Sequence, residues 1–139
     1  FYTGLSRSAS AILKNQQEAV AGSGAKQKDL QRMAQMARDL KTELQKNNIG
    51  AFGEIIHEGW ELKRSMTGEI SSGEIDGWYD AARKAGATGG KLLGAGSGGF
   101  LMFYAPREKH DAIAGALKQL RNIPMHFEPQ GSRIIFVHD

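Results

Sequence analysis

The chain of 139 residues has no cysteine, which excludes disulfides and thiolate metal centres and suits a reducing compartment. Its four histidines, His57, His110, His126 and His138, are scattered without metal-ligand spacing. No apolar run reaches membrane-spanning length, and the N-terminus lacks the basic-then-apolar order of a signal peptide, so the reading is a protein of the cytoplasm with no membrane partner. Lys and Arg exceed Asp and Glu by a net charge of +3, without the concentrated basic blocks of nucleic-acid arms. Small phosphorylated molecules fit that balance better than nucleic acid.

What the chain has in quantity is glycine, 18 residues of it. Gly94, Gly96, Gly98 and Gly99, with Ala95 and Ser97 between them, separate the apolar runs Lys91–Leu93 and Phe100–Tyr104. Backbone so poor in Cβ atoms can turn successive N–H groups inward and hold an anion. Gly94, Gly96 and Gly99 satisfy G-x-G-x-x-G in form, but the dinucleotide motif needs a helix after its glycines, and Phe100–Tyr104 before Pro106 reads as a buried strand. The Walker pattern is absent. A glycine-rich loop between two strands remains, and a plain hairpin without ligand is the alternative to a phosphate cradle.

At 40% hydrophobic the chain can bury one core, so a single domain over 1–139 is predicted. Phe1-Tyr2-Thr3-Gly4 reads as the end of a strand, without a starting methionine, as though a longer chain preceded it. Ala9, Ile12, Leu13 and Val20 mark a first helix that fades at Gly22-Ser23-Gly24. Leu30, Met33, Ala34, Ala37, Leu40 and Leu44 mark a second over 26–47, with its methionines as core filler. Phe52, Ile55, Ile56, Gly59, Trp60 and Lys63 mark a third, ending near Met66-Thr67-Gly68. Ser71 and Glu74 predict a capping box for a fourth through Ile75, Trp78, Tyr79 and Ala82, stopped at Gly86. Strands are predicted over 88–93 and 100–105, a helix over 106–120, a short extended piece over 125–127 and a last strand over 133–137 after the turn Pro129-Gln130-Gly131. The fold class is therefore α+β: an antiparallel sheet with helices on one face, the split βαββαβ or ferredoxin-like plan with an added helical cluster.

Four segments, Phe1–Ala9, His57–Ser65, Ile75–Ala82 and Gly89–Tyr104, together resemble the C-terminal half of the GHMP-family small-molecule kinases. The stretch from His57 to Ser65 is similar in particular to the D-glycero-D-manno-heptose 7-phosphate kinases and their near relatives, the fucose kinases. The loop departs from the family pattern at Ser97, where glycine is common. The resemblance implies an ATP-dependent kinase acting on the anomeric hydroxyl of a heptose 7-phosphate. It also implies that the ATP phosphate loop, the magnesium carboxylate and the acidic catalytic residue belong to an N-terminal domain not in this chain. No catalytic residue and no metal ligand is then expected here, and the chain alone is expected to be inactive.

On that reading Gly94, Ala95, Gly96, Ser97, Gly98 and Gly99 form the phosphate or nucleotide loop, and Gly98→Val should reduce turnover far more than stability. Arg7, Lys63 and Arg64 are the candidates for an anionic group of the phosphosugar substrate, since a guanidinium grips phosphate with two parallel hydrogen bonds. Their bland alternative is a solvated basic face, and that of Lys91 is cross-strand pairing. His57-Glu58-Gly59-Trp60-Glu61 departs from the zinc-protease helix because Glu61 stands in the place of the second histidine. Trp60, Trp78 and Tyr79 fall at helical steps among aliphatics, which reads as core. Fucose or another sugar remains open as substrate, as does a different class, a non-catalytic ligand- or RNA-binding module of ferredoxin-like plan. The surface that would meet the N-terminal domain could equally pair with a second copy in a homodimer.

Overall fold

The computed structural model describes residues 1–6, 9–68, 70–94, 98–126, 128–131, 133 and 136. The helices run α1 Ala9–Ala21, α2 Gly24–Gln45, α3 Gly50–Met66, α4 Gly73–Lys84 and, after the strands β1 Gly89–Leu93 and β2 Phe100–Tyr104, α5 His110–Ala116. The predicted α+β class holds.

Local chemistry sets the helix ends. Ser23, in extended conformation, accepts the N–H of Lys26 and opens α2. At its other end Asn47 takes φ 59°, a left-handed position that asparagine tolerates better than most residues. The cap of α4 is Ser72, not Ser71 as the capping-box spacing predicted: Ser72 is extended at φ −134° and ψ 163°, which aims its Oγ at the Ile75 N–H, 3.4 Å away. Ser71 instead donates to Asp76 Oδ1 at 2.7 Å. Glu74 and Asp76 in the first turn, with Arg83 and Lys84 in the last, complement the dipole of α4.

β1 and β2 pair antiparallel from Gly89 opposite Tyr104 to Leu93 opposite Phe100. The chain start extends this sheet. Leu101 N–H donates to Phe1 O at 2.8 Å, Thr3 N–H to Gly99 O at 2.9 Å, and Tyr2 N–H to Arg121 O at 2.8 Å. Tyr2 thus bridges Phe100 on one side and Arg121 on the other, and the lanes run β1, β2, residues 1–3, Arg121. That is the order of the split βαββαβ plan, with Arg121 on the lane beside residues 1–3. Of that predicted strand, only Arg133 and Phe136 are described and neither carries strand structure; the rest lies outside the described residues, as does Phe127 of the predicted extended piece. The helix predicted over 106–120 is shorter too. A 3-10 turn fills Arg107–Lys109 and α5 stops at Ala116, one residue past Gly115, whose missing side chain weakens a helix end.

One face of the sheet carries the core. Trp60, Met66, Ile70, Ile75, Tyr79, Leu92 and Leu101 pack with Ile12, and a smaller cluster joins Ala82, Ala87, Ile113 and Leu117. Trp60 and Tyr79 are each 1% exposed, so the helical aromatics are core as predicted. β2 is not buried on both sides, as its composition suggested: Leu101 is fully buried, but Phe100 is 42% exposed and lies 5.2 Å from the Tyr2 ring on the uncovered face. The edge strand β1 meets α3 closely, where a Cβ on Gly89 would stand 1.8 Å from Gly53 O.

Candidate functional site

β1 ends at Gly94, whose φ of +102° only glycine adopts without strain. Among the described residues, nothing lies within 4 Å of where its Cβ would be. On the far side of the loop Gly99 has φ +103° and donates its N–H to Leu5 O at 3.1 Å. Thr3 closes this anchorage: its N–H and Oγ1 both donate to Gly99 O, each at 2.9 Å, and its Oγ1 accepts the Leu5 N–H at 3.3 Å. Gly98 lies flat against the same segment, where a Cβ would come within 2.4 Å of Leu5 O. Gly98 is therefore glycine for reasons of packing, while Gly94 is glycine for its backbone angle. Ala95, Gly96 and Ser97, at the centre of the loop, and Arg7 lie outside the described residues.

The structure separates two residues that sequence reasoning grouped. Lys63 Nζ donates to Gly94 O at 3.1 Å and so reaches the entrance of the loop. Its ammonium is held below the ordinary lysine range, first by burial and then by the like charge of Lys91. Arg64, the next residue, points away. Its guanidinium pairs with Glu61 at 2.9 Å and with Asp76 at 3.2 Å, locking the end of α3 to the start of α4. Successive helical residues diverge by about 100°, so only one of the pair can face the loop.

Two features escaped the sequence. Tyr79 Oη donates to Gly90 O at 3.2 Å, and His57 Nδ1 lies 2.8 Å from that hydroxyl Oη. With the tyrosine proton on Gly90, the imidazole must carry its proton on Nδ1 and donate it. Burial raises the Tyr79 hydroxyl to about 12, which keeps it a donor at neutral pH. This chain of contacts joins α3, α4 and the start of β1, and no short-range spacing signals it. The second feature is the setting of Lys91, which sequence reasoning gave to cross-strand pairing. It stands opposite Met102, which offers it no charge, and its side chain lines the same cleft as Lys63.

Residues 23–122, from the cap of α2 to just past the Arg121 lane, match a family model described as GHMP kinases C terminal. The chain is 28% identical over 123 residues to D-glycero-alpha-D-manno-heptose 7-phosphate kinase of Campylobacter jejuni, covering 86% of this chain and 35% of that one. It is 30% identical over 89 residues to mevalonate kinase of Methanothermobacter thermautotrophicus, covering 64% and 29%. The crystal structure of L. major mevalonate kinase in complex with R-mevalonate superposes with a TM-score of 0.71 at 22% identity, over 85% of this chain and 36% of that one, which shows the shared fold. The chain thus spans about a third of the length of these relatives.

Proposed function

The chain belongs to the GHMP kinase family, and on that footing we propose that residues 1–139 are the C-terminal domain of an ATP-dependent kinase that phosphorylates the anomeric hydroxyl of D-glycero-D-manno-heptose 7-phosphate. The likeness to the Campylobacter jejuni heptose 7-phosphate kinase over 86% of the chain favours that sugar. The domain forms one wall of the active site against an N-terminal domain, in the cytoplasm. Among the described residues no helix is long and apolar enough to cross a membrane.

One observation carries this reading: a lysine is tied to the carbonyl at the mouth of a glycine loop, inside the stretch that matches the family model. Phosphoryl transfer depends on positioning and on neutralising negative charge spread over the phosphoryl oxygens. Gly94, whose Cβ position meets no atom of the described residues, and the cation beside it fit the edge of such an anion site. Lys63 has two further N–H donors for a phosphate oxygen. In this proposal the loop 94–99 lies against the transferred phosphoryl group, Lys63 neutralises charge there, and Arg7 holds the phosphate of the sugar. Arg64, committed to Glu61 and Asp76, positions the end of α3 instead.

ATP supplies the phosphoryl group and magnesium its counter-charge. The proposal gives magnesium and most nucleotide contacts to the N-terminal domain, as the family resemblance implies. The test is ADP release by the full-length protein with ATP and heptose 7-phosphate, fucose, galactose or mevalonate in parallel. Turnover with heptose 7-phosphate and none by the 139-residue chain alone is the expected result. Turnover with mevalonate or fucose only would reassign the substrate, and none with any acceptor would remove the kinase reading.

A further inference from the structure

A cleft of about 190 Å3 separates α2 from α3, walled by Met36, Leu40, Ile56, Trp60, Lys63 and Lys91 among others. Three observations about it remain unexplained by the fold. The side chains of Lys63 and Lys91 both line it, and among the described residues no carboxylate lies within ion-pair distance of either. Like charges brought together without a counter-ion disfavour each other, and Lys63 feels Lys91 in this way. The indole Nε1 of Trp60, a wall residue, is buried with no hydrogen-bond partner among the described residues, and buried donors are seldom left unused. The remaining wall is aliphatic.

We propose that the α2–α3 cleft binds a small amphiphilic anion, its acid group on Lys63 and Lys91 and its short apolar body against Met36, Leu40 and Ile56. The lysines call for a phosphate monoester or a carboxylate, which share the required charge. The aliphatic wall rejects a bare sugar, whose hydroxyls would lose water without gaining partners. The volume lies below the roughly 300–1,000 Å3 of ordinary ligand pockets, so the apolar body is a chain of a few carbons and not a helix or a peptide. Lys63 keeps its bond to Gly94 O while serving the ligand, because an ammonium has three donors. The site is therefore distinct from the loop and is shared with it only through that side chain.

Calorimetric titration of the full-length protein with butyl phosphate, hexanoate and inorganic phosphate tests this, alongside the variants Gly59→Leu and Lys91→Met. Gly59 faces the cleft from α3, and a Cβ there would meet Met36 Cε at an ordinary 3.5 Å, so leucine fills the space without a clash at its root. Leucine also favours the helix more than glycine does, so Gly59→Leu should melt no lower than the wild type. Binding of butyl phosphate, hexanoate or both is expected, with inorganic phosphate at least tenfold weaker. Which of the two binds identifies the acid group. Lys91→Met should weaken binding about tenfold and Gly59→Leu should abolish it, while ADP release by Gly59→Leu with its sugar substrate persists. No binding of butyl phosphate or hexanoate, or wild-type affinity in either variant, overturns the proposal. The kinase reading stands or falls separately, on the ADP measurement.

Discussion

Alanine placed at Gly94 and at Gly98 should separate the chemistry of the loop from its anchorage. At Gly94 the substitution meets no atom of the described residues within 4 Å, and its cost is the strain of a side chain at φ +102°, about 1–2 kcal/mol. At Gly98 the new Cβ would stand 2.4 Å from Leu5 O and 2.7 Å from Leu5 C, about 1 Å inside ordinary contact. The two segments must part, which breaks the 3.1 Å bond from Gly99 N–H to Leu5 O and disturbs Thr3. A lost hydrogen bond of about 1 kcal/mol and an overpacking cost of about 1–3 kcal/mol sum to about 2–4 kcal/mol. Urea unfolding of the full-length protein reads the stability, and ADP release reads the turnover. Gly94→Ala should lower kcat/KM about 10–100-fold through the displaced carbonyl that Lys63 holds, at small cost in stability. Gly98→Ala should lose both, so the packing argues against the sequence-based expectation that Gly98→Val would damage turnover far more than folding. Wild-type turnover in Gly94→Ala, or a stability loss in Gly98→Ala no larger than that in Gly94→Ala, would refute the division of roles.

Tyr79→Phe should cost about 1–3 kcal/mol in chemical unfolding, because Gly90 O and His57 lose their buried partner. The Tyr79 hydroxyl is raised from 10.0 to about 12 in the fold, so an unfolded chain releases that proton first. Stability should therefore hold below pH 10 and decline as pH climbs toward 12, and Tyr79→Phe should decline less over that window. Lys63 carries the opposite sign: its folded value is depressed below 10.5, the unfolded chain binds the proton more tightly, and stability gains as pH rises toward 10.5. Lys63→Met removes that burden, so its melting temperature should match or exceed the wild type while kcat/KM falls; a fall in both would show that the Gly94 contact is structural.

Helices were legible because amphipathic stripes are local, and four of them stand within a few residues of where the spacing put them. The cap of α4 slipped by one position because Ser71 and Ser72 are equally good cap chemistry and only backbone angles choose between them. Lane order followed from the element sequence, but the bridge between Arg121 and Tyr2 did not, since it is a contact across nearly the whole chain. In the site, the glycine spacing marked the loop, while the roles of its glycines required knowing that Leu5 lies against Gly98. Lys63 and Arg64 looked alike in sequence, and their separation depends on partners from β1 and α4.

The reach of Lys63 to Gly94 is itself a consequence of glycine elsewhere. α3 and β1 touch at Gly53 and Gly89, where neither residue has a side chain to hold them apart. From that contact Lys63 lies ten residues along a helix, a travel of about 15 Å at 1.5 Å per residue. Gly94 lies five residues along the strand, a travel of about 16 Å at 3.3 Å per residue. The two elements therefore bring a lysine and the mouth of the loop level with each other, and the observed 3.1 Å bond closes the gap. A helix kept farther from the strand by a methyl group at the contact would arrive level but out of reach. The glycines that do no chemistry thus fix where the charged side chain stands, and the glycines of the loop supply the surface it faces.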